Sequence, residues 1–372
     1  MESQKQLFDS IIIGGGIGGS ASALRSGQNG LRSLWLLGSK ATRKRSRSQW
    51  VKNLDNMVGF HEDIIKDQVI DTLKRADHLS AAELIHNTHY HINNRRIIQN
   101  TINRIKEGFP DIEIVDEEAI SLKTEEGVFT VKTSSAQYRA NAVILATGVM
   151  DKQPVIKQED RFGAMVETLR WIYPFANREQ ALYCIRCEGH LTRNESVAII
   201  GNTRSGAELA KILYERYKHN VYLLTNGTEP DYSEESIKIM NAYAVKIIKS
   251  PIVGVLSEGS KQLKGFKFKN QKSIEVKFAL ISLGLFRVYN DLAREVGARL
   301  MDAGQPDEKR HIQINQKGET SIPNLFVVGD AAKREDEPVM KQVYTAQEYA
   351  VRAVDVIDYR RRLRIRKQIL HP

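Results

Sequence analysis

Cysteine is almost absent from this sequence, because Cys184 and Cys187 are the only two in 372 residues. So few thiols exclude a framework of structural disulfides. The two have a C-x-x-C spacing, which can close a small redox-active ring and often lowers the pKa of the first thiol. Half of a zinc site would need about two more ligands, and only His190 lies nearby. We therefore favour a redox dithiol over half a metal site or two small core residues.

Long apolar runs are also missing. No stretch approaches the ~20 residues that a membrane span needs, and the N-terminus lacks the pattern of a signal peptide. We expect a protein without a membrane partner in the cytoplasm, where a C-x-x-C is more often catalytic than structural. The length suggests two domains of roughly 150 residues or more. The net charge of +10 favours an acidic partner, which could be a nucleic acid, an anionic surface or an acidic protein.

A glycine-rich turn follows the apolar run Ile11–Ile13. Gly14, Gly16 and Gly19 form a G-x-G-x-x-G pattern, which we call the first glycine turn, and a helix is predicted from Ser20 to about Gln28. These glycines permit a tight turn, close approach of the backbone to a pyrophosphate and close packing of helix on strand. The next strand, predicted at 31–37, has no acidic residue at its end for an adenosine ribose. This absence weakens an NAD site more than an FAD site.

A second strand–turn–helix–strand unit follows the cysteines. Its turn, which we call the second glycine turn, runs from Gly201 to Gly206. Thr203 replaces the middle glycine, and its Cβ would obstruct a pyrophosphate. No arginine follows the next strand for a 2′-phosphate, and the nearby Glu229 and Asp231 are acidic. The pattern predicts the fold of a nucleotide-binding domain whose site is degenerate.

The remaining elements have weaker signals. A largely helical, polar segment is predicted from His61 to about Lys106, and a strand ending in Gly329-Asp330 precedes a helix from about Val339 to Asp358. Further strands are predicted at 142–148 and 274–283, and a small meander at 112–115, 119–122, 128–131 and 137–139. No carboxylate or cysteine completes a metal site around the histidines of the helical segment, so no metal is predicted; they are His86, His89 and His91.

Two clusters of positive charge have no assigned role. The first cluster lies in the loop after the second predicted strand, at Arg43, Lys44, Arg45 and Arg47. This loop is predicted to be a solvated surface loop, to contact flavin phosphates or to bind an acidic partner protein. The basic tail, Arg360–Lys367, is a second docking candidate or could fold over a flavin. Neither cluster interleaves aromatic residues, so a specific nucleic-acid site is not expected.

In their order along the chain these pieces resemble the low-molecular-weight thioredoxin reductase family of flavoproteins, from about Phe8 to Asp358. The matching motifs are the two glycine turns, Asn56-Met57-Val58-Gly59, Ala146-Thr147-Gly148, Cys184 to Gly189, Gly329-Asp330 and Lys341-Gln342-Val343. The resemblance implies an α/β fold of two Rossmann-like, three-layer domains, the second inserted in the first. The FAD domain would comprise 1–150 and 279–372, and the inserted domain, with the C-x-x-C, 151–278.

The resemblance also implies the site and the partners. FAD would be the cofactor, a thioredoxin-like protein the substrate, and the chain a homodimer. Cys187 would face the flavin, Cys184 would attack the partner's disulfide, and Glu188, which stands where the family has Asp, would protonate the departing thiolate. The implied FAD contacts are Gly14, Gly16, Gly19, Ser39, Lys40, Gln49, Asn56, Thr147, Gly148, Gly329, Asp330, Lys341, Gln342 and Val343.

One departure concerns the electron donor. The family's NADPH residues are missing from the second glycine turn and from Thr225–Gly227. Relatives that lost NADPH in this way take electrons from ferredoxin or another donor. We therefore expect a disulfide reductase with a donor other than NADPH. Two alternatives stay open: a flavin-dependent oxidase that forms disulfides in small molecules, and a flavin-bearing sensor or binding protein. Arg186, between the cysteines, either stabilises a thiolate or is a solvated charge.

Overall fold

A computed structural model describes residues 7–43, 46–49, 51, 57, 94–159, 162–176, 180–259 and 262–371. These residues form two compact units. The first contains the described residues up to 49 together with 94–150 and 287–371, and the second contains 151–286. The second unit is therefore made from chain inserted between segments of the first. Asn56 and the three histidines at 86, 89 and 91 lie outside the described residues.

A five-stranded parallel sheet forms the centre of the first unit, with the strand order β22-β8-β2-β3-β4. Every residue of the two middle strands, β2 and β3, is buried, as expected for a parallel sheet covered on both faces. The strands are β2 Ser10–Ile13, β3 Ser33–Leu36, β4 Ile112–Val115, β8 Val143–Leu145 and β22 Leu325–Val327.

A second sheet in this unit corrects the predicted meander. Residues 112–115 are β4 of the parallel sheet, since Ile112 pairs with Ser33, and they take no part in the meander. The four-stranded sheet has the order β1-β7-β6-β5 instead, with β1 Leu7–Phe8, β5 Ser121–Glu125, β6 Val128–Lys132 and β7 Gln137–Ala140. A parallel pair, β21 Ile312–Ile314 and β23 Ala332–Arg334, belongs to the same unit.

Helices cover this sheet. Helix α1 is rich in glycine and serine, so it packs closely: a Cβ added at Gly27 would lie 2.6 Å from the Phe109 ring. The helices are α1 Ile17–Gln28, α2 Lys40–Arg43, α3 Asn94–Gly108, α8 Asp291–Glu295 and α9 Val343–Leu370. Helix α9 begins four residues later than predicted, because Gln342 has an extended backbone, and it continues through the basic tail.

The second unit is a three-layer α/β structure around another five-stranded parallel sheet, with the order β12-β19-β13-β14-β15. Its strands are β12 Ala181–Leu182, β13 Val197–Ile200, β14 Val221–Leu224, β15 Lys246–Ile248 and β19 Phe278–Ile281. One hydrophobic core contains residues of α6, Arg204–Tyr217, and Met240 of α7, Glu234–Ala242. Another core contains residues of the antiparallel strands β16 Ile252–Glu258, β17 Gln262–Phe268 and β18 Ile274–Glu275.

The strand predicted at 274–283 is two strands, β18 and β19, which belong to different sheets. Strand β19 begins at the predicted start of the returning FAD segment, yet it pairs with β13, and the chain leaves the second unit only after 286. The other elements are the hairpin β10 Ile156–Glu159 and β11 Met165–Thr168, the paired strands β9 Val149–Asp151 and β20 Leu285–Val288, and the short helices α4 Tyr173–Ala176 and α5 Ile185–Glu188.

Candidate functional site

The carboxyl ends of parallel strands meet at one edge of a sheet, and in the first unit this edge carries four of the predicted motifs. The first glycine turn follows β2, Ser39 and Lys40 follow β3, Thr147 and Gly148 follow β8, and Gly329-Asp330 follows β22. The fold thus brings together residues that are more than 300 positions apart in the sequence. We call this edge the cofactor edge.

The first glycine turn leaves no room for a Cβ at Gly14, at Gly15 or at Gly19. Gly14 has a φ of 126°, and a Cβ there would lie 2.3 Å from the carbonyl oxygen of Ala146. A Cβ at Gly19 would lie 1.9 Å from the carbonyl oxygen of Gly14, which also accepts a hydrogen bond of 2.9 Å from the Trp35 indole. Strand and helix are therefore as close as their backbones allow.

Gly16 has the opposite environment. It is the residue before α1, and no atom lies within 4 Å of the position that its Cβ would take. The space in front of the helix N-terminus is open, with the first N–H groups of α1 unused by any side-chain cap. Such a cradle accepts the diphosphate of a dinucleotide. The first glycine turn therefore fits FAD, the cofactor that the resemblance implies.

A cation lies at the same edge. The Arg47 guanidinium donates a hydrogen bond of 3.1 Å to Asp330, and the two side chains are only 14% and 19% exposed. Of the three uses that the sequence left open for its loop, contact with flavin phosphates fits this position, because Arg47 begins a 3₁₀ helix, Arg47–Gln49, and its side chain reaches Asp330. A mostly buried arginine at the cofactor edge is a further candidate for a cofactor contact, because a guanidinium binds phosphate well.

The other predicted cofactor residues have mixed surroundings. The Ser39 hydroxyl accepts a hydrogen bond of 3.2 Å from the Thr42 backbone and so begins α2, whose first residue, Lys40, is exposed. The Thr147 hydroxyl donates to the Tyr289 carbonyl at 2.6 Å, and Gly148 has a φ of 69°. Gln49 ends the 3₁₀ helix.

The start of α9 also lies at this edge, because a Cβ on Gly329 would be 3.8 Å from Ala346. Lys341 precedes the helix, Gln342 is buried in front of it and Val343 is its first residue. No pattern in the sequence indicated a polar pair in this unit, formed by the buried His311 and the partly buried Asp302, whose side chains are 2.7 Å apart. Burial lowers the pKa of His311, against the opposing effect of Asp302.

The second unit holds the dithiol. Cys184 and Cys187 form a disulfide, with 5.3 Å between their Cα atoms. Cys184 precedes α5, and its Sγ accepts a hydrogen bond of 3.2 Å from the Cys187 backbone. Cys184 is half-buried and Cys187 is buried, so Cys184 is the more accessible of the two sulfurs. Arg186, between them, is exposed.

Glu188 is buried, with 5% of its surface exposed. Its Oε2 accepts a hydrogen bond of 3.3 Å from the Tyr183 backbone, which fixes the carboxylate beside the dithiol segment. The Tyr183 hydroxyl donates to Gln153 at 2.5 Å. Burial raises the pKa of this phenol, and the negative charge of Asp151 raises it further. Tyr183 therefore stays protonated and positions the segment without titrating.

A hydrogen-bonded chain fixes the other end of α5. The Thr192 hydroxyl donates to the Gly189 carbonyl at 2.7 Å, so its oxygen is left to accept from His219 Nε2 at 3.0 Å. His219 is buried, and burial lowers its pKa, which favours the neutral ring. This histidine is distant in sequence from the cysteines, so no local pattern predicts its role.

The second glycine turn has the same backbone plan as the first and a different surface. A Cβ at Gly201 would lie 2.5 Å from the Ser282 carbonyl oxygen, which resembles the constraint at Gly14. Thr203 occupies the position before α6 that Gly16 holds before α1. Its hydroxyl is 2.8 Å from that of Ser205. Threonine thus introduces a side chain where the first turn is open.

The loop after β14 folds back onto this turn. The Tyr232 hydroxyl donates to the Gly201 carbonyl at 2.8 Å, and the Asp231 backbone donates to the Asn202 carbonyl at 2.8 Å. The acidic side chains of the loop have cationic partners that sequence reasoning missed: Asp231 is 3.7 Å from Arg204, and Glu229 is 2.9 Å from Lys249. Lys249 therefore brings a cation near the end of β14, where the sequence predicted none, but that cation is already paired.

The structure narrows the uses that the sequence left open for the two basic clusters. Arg43 pairs with Asp116 at 2.6 Å and Arg47 with Asp330, while Lys44 and Arg45 lie outside the described residues. The basic tail is the last part of α9 and cannot cover the cofactor edge: its Arg361 pairs with Asp9, the residue before β2, so it lies at the opposite edge of the sheet. No helix in the described ranges could cross a membrane, and those ranges contain no cluster of three metal-ligating side chains.

Comparison with known proteins agrees with this architecture. Residues 8–350 match the family model described as pyridine nucleotide-disulphide oxidoreductase. Thioredoxin reductase of Aquifex aeolicus is 22% identical over 96% of this chain and 94% of its own length. An alkyl hydroperoxide reductase of Xanthomonas campestris is 23% identical over 88% of this chain, which spans only 53% of that relative's length.

A solved structure shares the fold. Thioredoxin reductase from Streptococcus pyogenes has a TM-score of 0.71 at 16% identity, covering 96% of this chain and 98% of its own. The family match extends over most of the chain and includes both glycine turns and the dithiol. The chain therefore belongs to the pyridine nucleotide-disulphide oxidoreductase family, as a divergent thioredoxin reductase-like oxidoreductase whose cofactor is FAD.

Proposed function

We propose that the protein reduces the disulfide of a thioredoxin-like protein through Cys184 and Cys187, with an electron donor other than NADPH and ferredoxin as the first candidate. One observation carries the proposal: a half-buried Cys184 and a buried Cys187 form a disulfide next to a buried carboxylate, in a chain whose first glycine turn is open and whose second is obstructed. Bound FAD would supply the two electrons that the dithiol exchanges.

The cofactor would be held at the cofactor edge. The diphosphate would lie against Gly14 and Gly16 at the N-terminus of α1, close to the Arg47–Asp330 pair. The start of α9, at Lys341–Val343, and the loop with Thr147 and Gly148 complete the same edge. Gly19 would let α1 pack closely on the strand, which brings the helix N-terminus to the same edge.

The two cysteines would have different roles. After reduction the Cys184 thiolate would be stabilised by the Cys187 N–H that already points at its sulfur, and it is the more accessible nucleophile. It would attack one sulfur of the partner's disulfide, forming a mixed disulfide and releasing one partner thiolate. The Cys187 thiolate would then attack Cys184 Sγ, which releases the second partner thiolate and re-forms the Cys184–Cys187 disulfide.

Glu188 would supply the proton that a departing thiolate needs. Its carboxylate is buried and accepts a hydrogen bond from the Tyr183 N–H, so it is positioned within the segment that carries the departing thiolate. Glu188→Gln preserves the hydrogen-bond acceptor and removes the proton, and it should slow thiol–disulfide exchange by about 10²-fold. The pH dependence of the rate should change with it. Glu275→Gln, at an exposed position, should leave both unchanged.

The donor proposal rests on the second glycine turn. Thr203 stands where a pyrophosphate would approach, and the Asp231 backbone is bonded to the turn itself. Without a nicotinamide site, electrons would arrive from a small acidic carrier protein, and the net charge of +10 would speed the encounter. Among the residues that the structure describes, Lys40 is an exposed cation at the cofactor edge and Arg43 is partly exposed there. Lys40→Gln with Arg43→Gln should slow reduction by ferredoxin and weaken its salt dependence, while Lys269→Gln with Lys272→Gln should not.

Compartment and assembly follow from the resemblance and from the scarcity of cysteine. A two-cysteine chain with a C-x-x-C fits the reducing cytoplasm, where such a pair stays available for exchange. We place the protein there as a homodimer. Size-exclusion chromatography with light scattering on the flavin-loaded protein checks the assembly, and a monomer at micromolar concentration would contradict it.

The test of the proposed activity uses the two cysteine variants. Flavin-loaded protein is reduced anaerobically with dithionite, excess reductant is removed, and transfer of two electrons to an oxidised bacterial thioredoxin is counted as new thiols. Cys184→Ser and Cys187→Ser should both abolish transfer and keep the flavin absorbance. If either variant still transfers two electrons at the wild-type rate, the dithiol is not the route. If the wild-type protein reduces oxygen and never thioredoxin, the oxidase alternative replaces this proposal.

A further inference from the structure

The last part of α9, Tyr359–Leu370, combines strong positive charge with exposed apolar surface, and we call it the basic tail helix. It contains six arginine or lysine residues and no acidic residue. From Arg362 onwards every residue is exposed. At 1.5 Å per residue the segment is about 18 Å long. It is the most basic continuous stretch of surface among the described residues.

Three cations on one side of this helix attach it to the first unit. Arg360 forms a bidentate ion pair with Glu319 and also donates to Asn324. Arg361 lies 3.2 Å from Asp9, and Arg364 lies 3.9 Å from the same carboxylate. These contacts hold the helix in place and leave its other side to solvent.

The remaining cations are less neutralised, since among the described residues only Arg362 has an ion-pair partner, Asp358, 2.9 Å away and one turn earlier in the same helix. Arg366 and Lys367 have no ion-pair partner within the described part of the chain. The apolar side chains around them are exposed, to 72% for both Ile369 and Leu370 and to 41% for Ile365. Viewed along the helix axis, the five apolar side chains of this segment fall within an arc of about 160° at 3.6 residues per turn. They are Tyr359, Leu363, Ile365, Ile369 and Leu370. The outward face therefore carries bulky apolar side chains and arginine side by side.

A groove adjoins this face. It has a volume of about 320 Å³ and is lined by Pro323, Asn324, Arg360, Leu363, Arg364 and Lys367. Apolar Pro323 and Leu363 are thus framed by three cations and an amide. A ligand that fits this groove would offer a negative charge next to apolar atoms.

The position of the helix excludes two uses. Asp9 precedes β2 and Asn324 precedes β22, so the helix lies at the amino edge of the parallel sheet, whereas the cofactor edge is at the carboxyl ends. An electron carrier bound here would be separated from the first glycine turn by the length of the sheet. A second copy of this helix would bring like charges together, which is unfavourable.

We propose that the basic tail helix binds the surface of a membrane that contains anionic lipids. Cations near such a surface contribute roughly 1 kcal/mol each, and exposed apolar side chains can enter the headgroup boundary while arginines remain at the phosphates. A helix with these features lies on a bilayer and does not span it. The phosphate and acyl chain of a lipid also match the cationic, apolar groove. This revises the expectation of no membrane partner to one of surface contact.

Vesicle co-sedimentation of the flavin-loaded protein tests the proposal. Vesicles of phosphatidylcholine with phosphatidylserine should bind the protein at least about 10-fold more strongly than pure phosphatidylcholine, and binding should fall as salt rises. Arg366→Gln with Lys367→Gln should weaken binding about 30-fold, or roughly 1 kcal/mol for each cation. Ile369→Ser with Leu370→Ser should weaken it as well. All these side chains are exposed, so flavin content and thermal unfolding should match wild type.

Two control variants remove the same kinds of exposed side chain from surfaces outside the basic tail helix. Lys269→Gln with Lys272→Gln deletes two exposed cations of the second unit, and Ile120→Ser deletes an isoleucine that is 58% exposed. Both should bind vesicles like wild type. Equal binding of wild type to both kinds of vesicle overturns the proposal, and so does unchanged binding by the Arg366 and Lys367 variant. If the tail variants instead lose binding to an acidic ferredoxin while no form binds vesicles, the surface serves an acidic protein and the membrane proposal is wrong.

Discussion

The two glycine turns of this chain share a backbone plan and differ in the residue that precedes the helix. In both turns the first glycine is forced by a nearby carbonyl, that of Ala146 for Gly14 and that of Ser282 for Gly201. In both, the carbonyl of that glycine accepts one side-chain hydrogen bond, from Trp35 or Tyr232. The contacts that hold the first glycine of the turn are therefore of the same kind in both units.

The surface in front of the helix differs between the two turns. Gly16 leaves open space, whereas Thr203 fills the equivalent position. A mostly buried Arg47–Asp330 pair lies at the first edge, whereas the Arg204–Asp231 pair beside the second turn is loose and about three-quarters exposed. The two turns thus share their backbone contacts and differ in the surface that a nucleotide would meet, so the motif alone does not identify a cofactor site.

The largest effect should come from the third glycine of each turn. Gly19→Ala places a Cβ 1.9 Å from the Gly14 carbonyl, whereas at Gly206 the nearest atom is 3.5 Å away. Both residues lie in helices, so the gain in helix propensity is matched. Gly19→Ala should cost at least about 3 kcal/mol in unfolding free energy or prevent folding, and Gly206→Ala should change it by less than about 1 kcal/mol. Urea unfolding measures both. Equal costs would mean that the turns are not packed differently.

Exchanging the residues that precede the two helices, Gly16 and Thr203, tests the difference between the turns directly. Gly16→Thr gives the first turn the residue of the second, and it should preserve stability because nothing lies within 4 Å of the new Cβ. FAD affinity should fall at least about 100-fold, since the side chain occupies the phosphate cradle. Fluorescence titration of the apoprotein measures the affinity. Thr203→Gly is the matched change in the second turn and should leave the FAD affinity unchanged. If Gly16→Thr also binds FAD as tightly as wild type, the diphosphate does not lie at the first glycine turn.

Arginine substitutions sharpen the electrostatic difference. Arg47→Ala removes the mostly buried cation at the cofactor edge, and the FAD dissociation constant should rise about 10-fold, as for the loss of one charge-assisted hydrogen bond. Arg204→Ala removes the exposed cation at the second turn and should have no effect on FAD. Calorimetric titration of FAD into both apoproteins makes the comparison. A loss of affinity in both variants would indicate a general charge effect and not a local contact.

The smallest effect concerns a buried histidine in each unit, His219 and His311. Burial lowers the pKa of both, so each binds a proton less readily in the folded than in the unfolded chain. Stability should therefore fall as the pH drops below about 6.5, by no more than about 1.4 kcal/mol per pH unit for each histidine. His219→Gln and His311→Gln should each reduce this slope, measured by urea unfolding between pH 7 and pH 5. A slope that neither variant changes would assign it to other groups.

Local chemistry explains which features the sequence could predict. The first glycine turn, α1 and the dithiol segment depend on neighbouring residues, so their patterns are visible in the sequence. Residues 112–115 were misassigned because a short apolar strand does not reveal its partner, which is β3. The cofactor expectation at Asn56 stays a prediction, since that residue lies outside the described part of the chain.

Long-range contacts explain the rest. The predicted helix ended at Asp358, before a tail whose six cations repel one another, yet Asp9 and Glu319 neutralise the inner side of that tail from distant parts of the sequence. The burial of Glu188 and the pairing of Arg47 with Asp330 likewise depend on tertiary packing. Sequence patterns identify the residue types of the site, whereas burial and ion pairing determine which of them can act.

Anaerobic stopped-flow reduction with NADPH tests the central claim, that only the first glycine turn binds a dinucleotide. The flavin absorbance of the purified protein should stay oxidised at micromolar NADPH over minutes, while dithionite and reduced ferredoxin bleach it. This result is expected because Thr203 obstructs the diphosphate and the nearby Lys249 is already paired with Glu229. Rapid bleaching by micromolar NADPH would contradict the account, since it would require a working nicotinamide site in this chain.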